Sequence, residues 1–145
     1  MKKISRLIFA IMVMNIVLVG CWEKSAKTKE LSKNIDAYQA VVDYALDHCK
    51  DNQHASSDDK WLVYLSELQG VAEIESQVTE VEKEFDSMWI TDDYVVLWDN
   101  ETKQLGLLYS NNMDEALDDL KSWYDGMDYE EIDEHWCTVG VWKHL

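Results

Sequence analysis

The chain has 145 residues, 29 acidic and 13 basic, for a formal net charge of −16. That balance sets aside nucleic acid as a partner, because phosphate binding needs a basic surface. Seven Trp and seven Tyr set aside a disordered chain, which is poor in aromatics, and the length suits one ordinary domain.

The first residues follow a secretory pattern. Lys2, Lys3 and Arg6 precede an apolar stretch over residues 7–19, interrupted only by Asn15. At about 13 residues it is short for a membrane span, which needs roughly 20. It ends in Leu18-Val19-Gly20-Cys21, and this tetrapeptide resembles the lipobox of bacterial lipoproteins. The resemblance covers only the first 21 residues. It implies cleavage before Cys21, lipidation of that cysteine with palmitate-type chains, and attachment to the outer side of a bacterial membrane in the cell envelope. Two or more acyl chains hold a protein stably where one does not.

On this reading residues 1–20 are a signal peptide, 21–30 are the lipidated cysteine and a tether, and 31–145 are a single acidic α+β domain. Lys24, Lys27 and Lys29 suit anionic headgroups. Cleavage would remove three of the 13 basic residues and none of the 29 acids, leaving ten against 29, or −19.

Residues 31–50 read as a helix. Ile35, Tyr38, Val42, Leu46 and Cys49 recur at three and four residues, and Ser32 is the candidate N-cap. Residues 51–60 read as a polar loop. The apolar run 61–65 is a strand, and Gly70 punctuates the chain. Over residues 71–88, Ile74, Val78, Val81, Phe85 and Met88 fall at helical spacing. Residues 94–98 and 104–109 are strands joined by a polar hairpin loop over 99–103. Asn111 or Asn112 can cap a further helix with the stripe Met113, Leu117, Leu120 and Tyr124, ended by Gly126. Residues 127–135 read as loop or a turn of helix, and 136–142 alternate as the last strand.

After the first helix the expected order is β-α-β-β-α-β, which resembles the ferredoxin-like arrangement in element order alone. The expectation is an antiparallel sheet with its helices on one face. Strand parity puts Cys137, Val139 and Val141 opposite Trp136 and Trp142, and Tyr94, Val96 and Trp98 opposite Val95 and Leu97. One face would then be aliphatic and the other aromatic. The aromatic face would be covered by the first helix through Ile35, Tyr38, Val42 and Leu46, or would be an exposed binding platform.

Cys49 and Cys137 are most simply a disulfide outside the cytoplasm; buried free thiols and metal ligation are the alternatives. The bridge would close a loop of about 90 residues, worth about 4.5 kcal/mol in the chain-entropy model. His48, His54, His135 and His144 join these cysteines in no known zinc spacing. The surroundings of Gly126 fail as a calcium loop, because Lys121 and Ile132 occupy ligand positions. No metal and no cofactor is expected. No nucleophile, zinc-protease or phosphate-loop motif is present, which points away from an enzyme.

The densest signal runs from Asp114 to Glu134, ten acids against Lys121. Asp114, Glu115, Asp118, Asp119, Asp125, Asp128, Glu130 and Glu131, with Trp123, Tyr124 and Tyr129 among them, are the candidate partner-binding residues. Acids steer basic proteins and aromatics anchor interfaces. The expected function is capture of a basic protein partner by an anchored envelope protein, as an inhibitor or immunity protein. The alternative is a cell-wall glycan-binding or envelope-assembly lipoprotein. An ordinary solvated helix face would explain the acids equally simply.

Overall fold

The computed structural model describes residues 25–49, 55–56 and 60–142, without the side chains of Ala55, Ser56 and Trp142. The expected signal peptide, the expected lipidation site Cys21 and the start of the expected tether lie outside the described residues, as do His54 and His144.

The rest of the expected tether is folded. The side-chain oxygen of Ser25 accepts the Thr28 backbone N–H at 3.2 Å and caps a helix, α1 (Ala26–Ser32). Thr28 and Leu31 are buried. The Lys27 ammonium pairs with Glu84, and the Glu130 carboxylate accepts from the Ser25 N–H at 2.7 Å and the Thr28 hydroxyl at 2.6 Å. The body therefore begins about five residues before position 31. Helix α2 (Ile35–His48) follows, with Asn34 rather than Ser32 at its N-cap position. Tyr38, Val41, Val42 and Ala45 form its buried stripe.

The remaining elements are β1 (Ala55–Ser56), β2 (Lys60–Tyr64), a 3-10 turn (Leu65–Leu68), α3 (Glu75–Val81), β3 (Phe85–Ile90), β4 (Tyr94–Asp99), β5 (Leu105–Ser110), α4 (Met113–Ser122), β6 (Gly126–Glu131) and β7 (Trp136–Trp142). Among the described residues seven strands form one sheet in the order β1-β2-β3-β4-β5-β7-β6, and every neighbouring pair is antiparallel. The α+β class holds, but the ferredoxin-like order does not. Helix α3 joins β2 to β3, which pair directly with each other, where a split βαβ unit would place a third strand between them.

Two strands account for the difference. The helix expected over 71–88 stops at Val81, and Phe85 starts β3. Phe85 and Met88 both face the core of α1, α2 and α3. A strand normally turns residues three apart to opposite faces. The β-bulge between Phe85 and Ser87 adds one residue and brings both to the same side, so a bulged strand carries the spacing of a helix. The loop expected over 127–135 contains β6, a sheet edge with no fully buried residue; its acids hide the alternation that would betray a strand.

Helices lie on both faces, not one. Against α1, α2, α3 and the 3-10 turn the sheet buries Met88, Ile90, Val95, Leu97, Leu107 and Trp136. Against α4 it buries Val96, Leu108, Cys137, Val139 and Val141, with Tyr94 and Trp98. Strand parity is as expected, but aromatics divide between the faces: Tyr38 meets Phe85 at 5.6 Å edge-on and Trp136 at 6.4 Å on the first, and Trp89 meets Trp98 at 5.3 Å on the second.

The same division removes the expected disulfide. Cys49 is buried in the first core and Cys137 in the second, with the sheet between them, and both are free thiols. Cys137 Sγ lies 3.5 Å from Met113 Sδ.

Candidate functional site

Helix α4 carries its acids outward because Ala116, Leu117 and Leu120 face the sheet. Asp114 and Glu115 lie in its first turn, where the exposed backbone N–H groups favour negative charge. The acids on this helix are not all unengaged. Asn112 donates to Glu115 at 2.7 Å, Asp118 lies 3.6 Å from the Lys121 ammonium, and Asp119 accepts from the Tyr94 hydroxyl at 2.6 Å. Burial and this bond to Asp119 push the Tyr94 hydroxyl far above its ordinary range, so it stays a donor to Asp119.

Beyond α4 the chain turns through Trp123, Tyr124 and Asp125. Trp123 is 45% exposed, and Tyr129 on β6 is 47% exposed. Strand alternation puts Tyr129 and Glu131 on the α4 side of the sheet, where the Lys121 ammonium lies 5.5 Å from the Tyr129 ring. Asp128 and Glu130 point to the other side. Glu130 is committed to α1, so of the candidate partner-binding residues it serves the fold instead. Asp128 is exposed on that other side, and the remaining acids form a band of exposed carboxylates along α4 and β6, with Trp123 and Tyr129 exposed in it and Tyr124 half-buried.

Tyr124 belongs to a second feature that the sequence did not announce. On the α4 side, strands β2, β3 and β4 and the turn after α4 enclose a groove of about 290 Å³, lined by Leu62, Tyr64, Ser87, Trp89, Trp98, Lys103 and Tyr124. Trp89 and Tyr124 are nearly parallel, 15° apart with centroids at 6.4 Å. Trp98 lies 5.8 Å from Tyr124. Tyr64 is 48% exposed at the rim, and the Lys103 ammonium pairs with Asp86. Lys60, buried at the start of β2, holds its ammonium 3.3 Å from the Trp123 ring centroid and 5.2 Å from that of Trp89, a cation–π arrangement. It ties the post-helix turn to the sheet. Burial raises the Tyr124 hydroxyl to about 12, so it is neutral and can donate.

These groups stack and donate hydrogen bonds. The alternation Lys60-Leu62-Tyr64 and the pair Ser87-Trp89 hold the signal for the groove, but reading it requires the register of three strands. Comparison with family models, with curated proteins and with solved structures gives no match. Among the described residues no group of three or more His, Cys, Asp or Glu is placed to hold a metal ion, and no helix is long and apolar enough to cross a membrane.

Proposed function

We propose that the protein is a lipid-anchored component of a bacterial cell envelope that binds a basic protein without catalysis, as an inhibitor or immunity protein. The observation that carries the reading is the band of exposed carboxylates on α4 and β6 with Trp123 and Tyr129 exposed within it. Long-range charge speeds the encounter with a basic partner, and exposed aromatics supply the buried anchors of a complex. The anchor rests on the likeness of Leu18-Val19-Gly20-Cys21 to a lipobox. An anchored protein meets its partner where that partner crosses or reaches the envelope.

The test is capture by the full-length chain, extracted from membranes in detergent, offered to envelope extract and to the products of neighbouring genes. A single basic protein retained at low salt, released at high salt and lost with Asp114→Asn/Asp118→Asn is the expected result. Retention that ignores both salt and these substitutions rules the acidic surface out. The anchor has its own measurement: the mature protein should begin at Cys21 and carry labelled palmitate, and Cys21→Ser should abolish both.

A further inference from the structure

On its second face the sheet extends beyond the helix that covers it. Helix α4 packs on β4, β5 and β7, while Leu62, Tyr64 and Ser87 on β2 and β3 lie outside that core and line the groove. We propose that this groove is a carbohydrate site that takes a neutral pyranose ring of a glycan against its aromatic faces. It shares Tyr124 with the acidic band but none of its carboxylates, and does not depend on a basic protein binding there.

Four observations converge. Trp89 and Tyr124 present nearly parallel ring planes. One face of a pyranose is made of C–H groups, apolar and slightly positive, which suits the negative face of an aromatic ring. The second is a buried donor. Trp98 is 3% exposed and forms the floor of the groove, and its indole N–H has no acceptor among the described residues. A buried donor without an acceptor costs free energy, and a sugar hydroxyl is an acceptor. Tyr64, Tyr124 and Ser87 add hydroxyls around the same space, as a ligand with polar groups along its edge requires.

The third observation is size. At about 290 Å³ the groove lies at the low end of small-molecule sites, roughly 300–1,000 Å³, enough for one or two sugar rings and small for a protein segment. The fourth is charge. The lysine at the rim is neutralised by Asp86, and Lys60 stands behind Trp89 and Trp123. The groove therefore lacks the carboxylate excess that would draw a basic chain, and a neutral ligand fits it better.

The experiment uses the full chain in a sugar-free detergent and follows the indole N–H resonances of the seven Trp residues during titration with an N-acetylglucosamine trimer and with cellotriose. Trp89→Phe and Trp98→Phe assign the two signals. At least one sugar should shift both, saturably and equally at low and high salt, with Trp98 moving as its N–H gains an acceptor. Tyr64→Ala, at a half-exposed position, should leave the circular dichroism unchanged and weaken binding roughly three- to tenfold. Trp98→Phe should weaken it roughly fivefold through loss of the donor. Asp114→Asn/Asp118→Asn should change nothing, which separates this site from the acidic surface. The proposal is overturned if neither sugar moves the Trp89 and Trp98 signals, if binding survives Tyr64→Ala undiminished, or if a lysine oligomer moves the same two signals and competes with the sugar.

Discussion

Asp99 shows how much one side chain can organise. Its carboxylate accepts the Thr102 N–H and hydroxyl at 2.8 Å each, the Gln104 N–H at 2.9 Å and the Leu105 N–H at 3.2 Å, which closes the β4–β5 hairpin around Lys103 at φ 57°. Burial disfavours the ionised form, but the bonds from Thr102, Leu105 and Gln104 outweigh it and hold the carboxyl below its ordinary value of 3.8. A carboxyl lowered on folding adds stability above its unfolded value, and that stability is lost as pH falls through the folded one. Asp99→Asn should therefore cost about 1–3 kcal/mol near neutral pH, and the gap to wild type in urea unfolding should close as pH drops below about 4. A gap that stays constant to lower pH would contradict this.

Gly106 sits opposite Trp98 in the β4–β5 register. A Cβ there would lie 2.9 Å from side-chain atoms of Val139 and Val96 and 3.0 Å from the Trp98 ring. Only a residue without a side chain lets the indole lie across the strand. Gly106→Ala should destabilise by about 1–3 kcal/mol through overpacking and shift the Trp emission, both measurable in one urea titration. The thiols lend themselves to a simpler assay. Burial raises Cys49, and burial with the Glu131 charge raises Cys137 to about 12, so neither forms thiolate readily. Alkylation without reductant should label neither in the native protein and both in denaturant, read by intact mass.

At the level of elements, what was legible follows from where each segment's chemistry is satisfied. Helices α2 and α4 each bury one stripe and leave the rest in water, so period alone reveals them. Strands β2, β4 and β7 are runs rich in β-branched and aromatic residues, and β5 is a leucine-rich run containing Tyr109, each set off by polar breaks. Strand β3 was not legible because its bulge places Phe85 and Met88 as a helix would. Strand β6 was not because its pattern is set by charge and by a helix more than 90 residues away in sequence. Helix α1 resembles a tether in sequence because Lys24, Lys27 and Lys29 look like a solvated run; Glu84 and Glu130, which hold it, cannot be found locally. Thr28→Val leaves the Glu130 carboxylate without its hydroxyl donor and should speed amide hydrogen exchange across residues 26–32 while leaving β4 and β5 protected. Equal acceleration throughout would mean that α1 does not open separately.

For the whole molecule, the acidic band was legible because it is contiguous in sequence, while the groove was not because Tyr64, Trp89, Trp98 and Tyr124 come from four separate elements. Net charge of −16 also bears on stability as well as on partners. Like charges on a compact body repel, and salt screens them over about 10 Å at 0.1 M. The melting temperature should rise as salt is added from very low concentration, in contrast to a protein held by surface ion pairs. A fall over the same range would mean that pairs such as Lys27–Glu84 and Lys103–Asp86 outweigh the repulsion.

Every open sheet must keep its outermost strands from recruiting further chains. Here β1 is described over two residues, Ala55 and Ser56. Strand β6 is longer but carries Asp128, Glu130 and Glu131 along its length. Two copies meeting along that border would bring these carboxylates face to face. Crowded side by side on a surface, such molecules stay individual, and the fold resists growing into a continuous ribbon.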